Sequence, residues 1–249
     1  MSRILVVDVG NSRLKWGLAG PHGWIVFGVT PNTDIGTLAL RDWQNIPRPS
    51  RVVGVNVAGE AARMRIEPQL ARWRVSPRWL TATASACGVV NQYTNPGQLG
   101  PDRWAALVAA RQRVVSGDEP PAPAVVVNAG TAVTIDALDA NGVFRGGIIL
   151  PGLRLMLQAL AEKTAALKVP AGSFADFPRN TADALYSGAM QAVAGAIEQA
   201  RTRLRDESGA VRCFLAGGAA GEIAPHVAAP MEQVDHLVLE GTLALAEAA

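Results

Sequence analysis

Two segments that join an apolar strand to a small polar turn constrain the fold of this chain more than any other feature. The first covers residues 4–12 (Ile-Leu-Val-Val-Asp-Val-Gly-Asn-Ser), and the second covers residues 125–136, with Asn-Ala-Gly-Thr at 128–131. Apolar runs of this length predict strands that are covered on both faces. Glycine lets a ligand approach the backbone, and neighbouring hydroxyl and N–H groups can bind phosphate oxygens. The pair predicts a nucleotide held between two similarly built halves.

A plain turn between strands is the alternative interpretation of the first segment, because Asp, Gly, Asn and Ser are the usual turn residues. Recurrence of the pattern as Gly130-Thr131 favours phosphate binding. Asp8, at the entry of the first turn, could hold a cation directly or through water. Lys15 is a candidate phosphate contact, and a solvated lysine explains it equally well. The two turns therefore predict a nucleotide site more strongly together than either does alone.

Composition excludes several classes of protein. The chain has 249 residues, of which 49% are hydrophobic and 18% are charged, as in globular proteins. Lys and Arg total 23 against 21 for Asp and Glu, so no basic excess favours nucleic acid as a partner. Two cysteines and three scattered histidines predict neither a disulfide framework nor a zinc site. A signal peptide and a membrane-spanning run are also not expected, so we predict a soluble, cytoplasmic protein without membrane partners.

Strand and helix patterns start afresh after a charged, proline-rich stretch at residues 116–123. We therefore predict an α/β chain with two related domains, residues 1–117 and 118–249. Hairpin connections are predicted over Gly17–Pro21 and at Asn141-Gly142. The predicted strands are 4–9, 24–29, 51–57, 124–128, 132–138, 143–149 and 211–216, and the predicted helices are 60–73, 102–115, 152–167, 180–207 and 237–248.

A Gly-Pro-Asp-Arg segment lies where a loop becomes a helix, at residues 100–103. Asp102 has two interpretations, a helix N-cap or a general base that takes the proton of an attacking hydroxyl. Arg103 could bind a carboxylate or phosphate with both arms of its guanidinium. Tyr93, in the polar loop before it, either packs or lines a pocket. The glycines at 146–147, 152 and 217–218 allow either close packing or room for a flat ligand.

Taken in order, six motifs resemble the type III pantothenate kinases over nearly the whole chain. The motifs are Asp8-Val-Gly-Asn-Ser, Gly100-Pro-Asp-Arg, Asn128-Ala-Gly-Thr-Ala-Val-Thr-Ile-Asp136, Gly146-Gly-Ile-Ile-Leu-Pro-Gly152, Asn180-Thr181 and Ala216-Gly-Gly218. The resemblance implies an actin-like kinase with two ribonuclease-H-like domains and an interdomain nucleotide cleft. It also implies a homodimer with the pantothenate site at or near the subunit interface, the substrates ATP and pantothenate, and a role in coenzyme A biosynthesis.

The resemblance also implies roles for individual residues. Asp102 would be the catalytic base, Asp8 would assist Mg²⁺, and Thr131 would contact ATP. The first phosphate loop would comprise Asp8, Val9, Gly10, Asn11, Ser12, Arg13, Leu14 and Lys15. The pantothenate site would comprise Tyr93, Gly100, Pro101, Asp102, Arg103 and Thr181, with Arg103 suited to the substrate carboxylate.

One position departs from the family pattern, which commonly has Asp where this chain has Asn128. In the family that carboxylate helps to bind a monovalent cation, K⁺ or NH₄⁺. An amide oxygen can still ligate K⁺ but lacks the charge, so we expect a weakened dependence on the cation. Two other functions stay open at this stage, a non-catalytic accessory protein on the same fold and a kinase for another small alcohol.

Overall fold

A computed structural model of the chain describes residues 3–116, 120–163, 171–205 and 209–248. The strands are β1 (Ile4–Val9), β2 (Arg13–Gly20), β3 (Gly23–Pro31), β4 (Arg51–Asn56), β5 (Pro77–Trp79), β6 (Ser85–Ala86), β7 (Val89–Asn91), β8 (Ala124–Ala129), β9 (Ala132–Leu138), β10 (Val143–Pro151), β11 (Arg212–Ala216) and β12 (Met231–Gln233). The α-helices are α1 (Glu60–Leu70), α2 (Pro101–Val115), α3 (Leu153–Lys163), α4 (Thr181–Leu204), α5 (Ala220–Ile223) and α6 (Leu237–Glu247).

The chain forms two compact units. The first comprises residues 1–113 and 236–249, and the second comprises residues 114–235. The division predicted from the sequence, 1–117 and 118–249, stays a prediction about the domains. It differs from the compact units chiefly in α6, which groups with the first unit.

The first unit is built on a five-stranded sheet in the order β3-β2-β1-β4-β5. Strands β1, β2 and β3 are antiparallel neighbours, whereas β4 runs parallel to β1 and β5 parallel to β4. Leu5 and Val7 pack into a core with Trp43 and Ile66 on one face of the sheet. The alternate residues Ile4 and Val6 pack with Leu239 of α6 on the other face. The prediction that β1 is covered on both faces is confirmed.

The second unit contains the same strand pattern. Its sheet includes the order β12-β11-β8-β9-β10, in which β8, β9 and β10 are antiparallel neighbours. Strand β11 runs parallel to β8, and β12 runs parallel to β11. Read from β10, this order and these directions repeat those of the first unit. The predicted duplication into two related α/β halves is therefore present in the topology.

Most predicted elements are confirmed, but the first hairpin is shorter than predicted. The connection predicted over Gly17–Pro21 is wrong, because β2 continues to Gly20 and only Pro21 and His22 separate it from β3. Gly17 lies within β2, where a Cβ would come within 3 Å of the rings of Trp24 and Phe27. The missing side chain, which resembles a turn signal in the sequence, instead makes room for aromatic packing.

Two predicted helix ends lie outside the described residues. These are the end of the helix predicted over 152–167 and the end of the one predicted over 180–207; the described parts begin at Leu153 and Thr181. The predicted turn at Asn141-Gly142 is confirmed between β9 and β10. None of the helices in the described part of the chain combines the length and apolar character that crossing a membrane requires.

Candidate active site

The first predicted phosphate loop lies between β1 and β2. Residues 10–12 form the connection, and the N–H of Gly10 donates to the carbonyl of Arg13 over 3.1 Å. Asp8 lies opposite Lys15 in the antiparallel register, so their side chains project from the same face of the sheet. The short connection thus brings one acidic and one basic side chain to the strand ends where the loop begins.

Asp8 is a buried carboxyl group, with 8% of the residue exposed. Desolvation raises its pKa to about 7; Lys15 acts to lower this pKa, and the charge of Asp102 acts to raise it. The charge of Asp102, 94 residues away in the sequence, thus acts on Asp8 within the first unit. A buried carboxyl group whose pKa responds to a second, half-buried carboxyl group is a candidate for cation binding and proton transfer.

Asp102 lies in the first turn of α2. The helix begins at Pro101, so Asp102 is its second residue, and the prediction that it is the N-cap is wrong. Proline suits the first helical position because its missing N–H would have no partner within the helix, which moves the helix start before Asp102. The Asp102 carboxylate accepts a hydrogen bond from the N–H of Arg103 over 2.8 Å. Burial raises the pKa of Asp102, while this hydrogen bond and the charge of Arg103 act to lower it.

Gly100 gives the Asp102 carboxylate its space. A Cβ on Gly100 would lie 2.6 Å from the carboxylate oxygen of Asp102, closer than real Cβ contacts. The carbonyl of Gly100 accepts the N–H of Trp104 over 2.9 Å, and Trp104 is buried in the core. Glycine at this position therefore lets the carboxylate fold back over the start of the helix.

Arg103, the next residue of α2, contacts Tyr93. Arg103 is buried, donates from Nη1 to the Tyr93 hydroxyl over 3.3 Å, and lies 5.9 Å from the centre of the tyrosine ring. The prediction from residues alone left open whether Tyr93 packs or lines a pocket. Its hydroxyl and ring both contact the guanidinium, so Tyr93 helps to fix a cation beside Asp102.

Asn91 shapes the loop that carries Tyr93. Its side-chain nitrogen donates to the carbonyls of Thr83 and Pro96, and its oxygen accepts the N–H of Tyr93 over 3.0 Å. The side chain is thus bonded through both its oxygen and its nitrogen and is buried. Sequence reasoning included Asn91 in a polar loop without assigning it a role, since its partners lie up to eight residues away.

The second predicted phosphate loop follows β8, with Asn128 in the strand and Thr131 in the turn. Two glycines approach its backbone. A Cβ on Gly152 would lie 2.3 Å from the Gly130 carbonyl oxygen, and the N–H of Gly152 donates to the Thr131 carbonyl over 2.9 Å. Gly217, at a φ of +104°, has the same relation to the carbonyl of Ala129. Of the two interpretations of these glycines, close packing is therefore the one that the structure supports.

Thr181 begins α4. Asn180 caps this helix through its side-chain oxygen, which accepts the N–H of Asp183 over 2.9 Å. The side-chain nitrogen of Asn180 and the N–H of Ser173 both donate to the Asp183 carboxylate. These bonds fix the helix start and leave Thr181 exposed to solvent.

The structure divides the predicted site residues between the two units. It brings together Asp8, Asp102, Arg103 and Tyr93 in the first unit, whereas Asn128, Thr131 and Thr181 belong to the second. Among the described residues no cluster of three or more His, Cys, Asp or Glu could hold a metal by itself. A Mg²⁺ that also binds nucleotide phosphates needs only one or two protein carboxylates, and the buried Asp8 fits that requirement.

Sequence similarity to known proteins indicates the family of this chain. A family model described as type III pantothenate kinase matches residues 4–203. A type III pantothenate kinase of Leptothrix cholodnii is 46% identical over 97% of this chain and 95% of its own length. Another, of Nitrosospira multiformis, is 46% identical over 98% of this chain and 90% of its own length. The chain belongs to the type III pantothenate kinase family. The family that the six motifs indicate is thereby confirmed.

Solved structures resemble this type III pantothenate kinase family member in fold as well. A Baf family protein from Campylobacter jejuni superposes with a TM-score of 0.62 at 20% identity, covering 98% of this chain and 97% of its own. The activator of 2-hydroxyisocaproyl-CoA dehydratase from Clostridium difficile, bound to ADPNP, gives a TM-score of 0.54 at 11% identity, covering 99% and 95%. The predicted fold class, two ribonuclease-H-like units of the actin-like ATPase and sugar kinase type, is confirmed.

Proposed function

We propose that this chain is a cytoplasmic enzyme that transfers the γ-phosphoryl group of ATP to the primary hydroxyl of pantothenate. The product would be 4′-phosphopantothenate, and the reaction would be the first step of coenzyme A biosynthesis. The observation that carries the proposal is the 46% identity to type III pantothenate kinases over nearly the full length of both chains. The retained acidic pair, Asp8 and Asp102, supports catalysis over the non-catalytic alternative.

Asp102 is the proposed general base. Its burial raises its pKa, which makes the carboxylate a better proton acceptor, while Arg103 keeps the ionised form accessible. In the proposed reaction the pantothenate hydroxyl gives its proton to Asp102 as its oxygen bonds to the γ-phosphorus, and ADP leaves on the opposite side. Such transfer depends mainly on positioning and on neutralising phosphate charge, so a single well-placed carboxylate suffices.

Residues 8–15 and Thr131 are the proposed contacts of ATP. The loop N–H groups and Lys15 would offset phosphate charge in the first unit, and Thr131 would do so in the second. Mg²⁺ held by Asp8 and the nucleotide would neutralise charge that develops on the phosphates. The raised pKa of Asp8 supports this assignment, because a buried carboxylate with little compensating charge gains most from a bound cation.

Pantothenate carries a carboxylate, and Arg103 is its proposed partner. A planar guanidinium binds a carboxylate through two parallel hydrogen bonds, and Tyr93 already holds this guanidinium in place. Gly100, Pro101 and Thr181 complete the proposed substrate site. Asn128 is the proposed ligand of a monovalent cation, K⁺ or NH₄⁺, with weakened affinity because an amide carries no charge.

The decisive experiment measures ADP release and phosphorylated product with pantothenate, glycerol and a panel of sugars as acceptors. Transfer to pantothenate alone supports the proposal. Transfer to glycerol or sugars but not to pantothenate would replace it with another small-alcohol kinase. A folded protein that binds ATP and phosphorylates none of them would support the accessory role.

A homodimer is part of the proposal. Large apolar side chains are exposed on β10 and α3 of the second unit, among them Ile149, Leu155 and Leu160. Exposed apolar surface of this kind marks interaction sites on soluble proteins. Light scattering after gel filtration should give twice the 26.1 kDa chain mass. A monomer at micromolar concentration would contradict both the dimer and a pantothenate site shared between subunits.

A further inference from the structure

The residue that fixes the first phosphate loop is not part of the loop sequence. Asn32 follows β3 and lies about twenty positions downstream of residues 10–12. Its side-chain nitrogen donates to the carbonyl of Gly10 over 2.8 Å and to the carbonyl of Asn11 over 2.9 Å. Its backbone N–H donates to the carbonyl of Ser12 over 3.1 Å. One residue thus binds three successive carbonyls of the loop.

These three bonds determine which way the loop N–H groups face. In a trans peptide the carbonyl of one residue and the N–H of the next point in opposite directions. Because the carbonyls of Gly10 and Asn11 face Asn32, the N–H groups of Asn11 and Ser12 point to the opposite side. Successive N–H groups that point the same way form an anion-binding concavity. Asn32 therefore holds the loop in the orientation that phosphate binding requires.

The side-chain oxygen of Asn32 takes no part in holding the loop. This oxygen is buried and has no hydrogen-bond partner in the described part of the chain. A buried acceptor without a partner costs stability, and the two bonds that the same amide donates to the loop offset that cost. The polar contacts of the side chain are those donated to the loop, which is where the amide has its effect.

We propose that Asn32 is a positioning residue for ATP, which presents the N–H groups of Asn11 and Ser12 to the nucleotide phosphates. The inference rests on the proposed function for its ligand, since the phosphates are those of the kinase substrate. Asn32 does not touch the reacting atoms. Its effect is expected in nucleotide binding rather than in the affinity for the acceptor.

The test replaces Asn32 by Asp, which has the same shape but no donor, and by Ala. In Asn32→Asp, a carboxylate oxygen would face the two carbonyl oxygens and add negative charge beside the phosphates. We expect the Kd and KM for Mg-ATP to rise at least about tenfold in Asn32→Asp and less in Asn32→Ala, with the KM for pantothenate changed by less than about twofold. Calorimetric titration with Mg-ATP alone and initial rates with each substrate varied give these values.

Asn91→Asp is the matched control, since Asn91 makes the same kind of contacts in the loop of Tyr93. It should raise the KM for pantothenate and leave the Kd for Mg-ATP within about twofold. Two results would overturn the proposal. One is an equal rise in the KM for Mg-ATP and the KM for pantothenate in Asn32→Asp, and the other is an unchanged Kd for Mg-ATP in that variant. If neither Asn32 variant folds by circular dichroism, Asn32 is a folding residue and the proposal is wrong.

The binding measurement separates this proposal from the proposed function. If the unaltered protein binds Mg-ATP but does not phosphorylate pantothenate, the proposed function fails while the Asn32 test still stands. If the unaltered protein phosphorylates pantothenate and Asn32→Asp binds Mg-ATP normally, only the role of Asn32 fails.

Discussion

The turns that follow β1 and β8 occupy the same place in the same strand order, yet they are held in opposite ways. The turn after β1 is bound chiefly by a side chain, since the amide of Asn32 donates two of the three bonds that this residue makes to the turn. The turn after β8 is bound by backbone, because Gly152 and Gly217 bring their main chains against its carbonyls. Duplication has therefore preserved the topology and the polar ends of the strands but not the groups that fix each turn.

The difference predicts how each turn responds to substitution. A side-chain contact can be altered by one functional group while the backbone keeps its path, so the first turn should show graded effects on ligand binding. A turn in close backbone contact tolerates no added Cβ on its partners, so the second should show all-or-none effects on folding. The following substitutions test these expectations.

The largest effect is expected from substitution of Asp102, which should lower turnover without affecting nucleotide binding by the two turns. Asp102→Asn keeps the shape but removes the proton acceptor, so turnover should fall roughly 10²- to 10⁴-fold. Because Asp102 belongs to neither turn, the Kd for Mg-ATP should stay within about threefold, measured by calorimetry. Near-normal turnover in this variant would remove Asp102 from its proposed role.

Gly152→Ala should damage the second turn through its backbone. The new Cβ would lie 2.3 Å and 2.7 Å from two carbonyl oxygens that cannot move independently of the strand. We expect a loss of about 3 kcal/mol or more in the free energy of unfolding, measured by urea denaturation. Gly130→Ala is the matched control, since its Cβ would approach nothing closer than 3.6 Å. Equal stability of the two variants would mean that the backbone contact does not hold the turn.

Asp8→Asn should stabilise the ligand-free protein in a pH-dependent way. The folded-state pKa of Asp8 is raised from 3.8 to about 7, so between these values the folded chain binds more protons than the unfolded chain and loses stability as pH rises. The variant lacks this titration. Its gain in Tm should grow from pH 4 to pH 7 and reach roughly 5 °C or more at pH 8, by scanning calorimetry. A gain that is the same at pH 4.5 and pH 8 would contradict the raised pKa.

Asn128→Asp should have the smallest effect. It tests whether position 128 at the end of β8 can act as Asp8 does at the end of β1. It introduces the carboxylate that the family resemblance implies at this position and that Asp8 supplies at the corresponding end of β1. We expect K⁺ to activate the variant at concentrations several-fold lower than the unaltered protein requires, with Na⁺ as the control salt. An identical K⁺ dependence of the two proteins would exclude position 128 as a cation ligand.

Much of the fold could be predicted from sequence because its signals are local. The apolar runs of β1 and β8 and the turn at Asn141-Gly142 each depend on neighbouring residues. Gly17 led to the wrong prediction of a connection over Gly17–Pro21, because a glycine that makes room for aromatic rings looks the same in sequence as one that makes a turn. The prediction of Asp102 as the helix N-cap was wrong for a different reason, since proline at the first helical position makes Asp102 the second residue of the helix.

The site could be predicted only where its residues fall in motifs. Asp8, Asp102 and Arg103 stand next to turn signals, and the structure brings them together. Asn32 carries no such signal, because its partners are distant in sequence and its own neighbours, Pro31 and Thr33, suggest only a loop. The position of α6 could not be predicted from local patterns either, since an apolar helix face does not by itself indicate which of the two sheets it packs on. The predicted cleft for nucleotide stays a prediction.

The last helix of the chain completes the first unit. Leu239 and Ala246 share a core with Ile4 and Val6, Gly241 lies against the backbone of Ala105, and Glu240 binds Arg113 through two oxygens. A ribosome makes strand β1 before helix α6, with the second unit between them, so the interior of the first unit is not sealed from water until α6 has been made. The strands of the second unit are all synthesised before α6, so the second unit can fold before the first is complete.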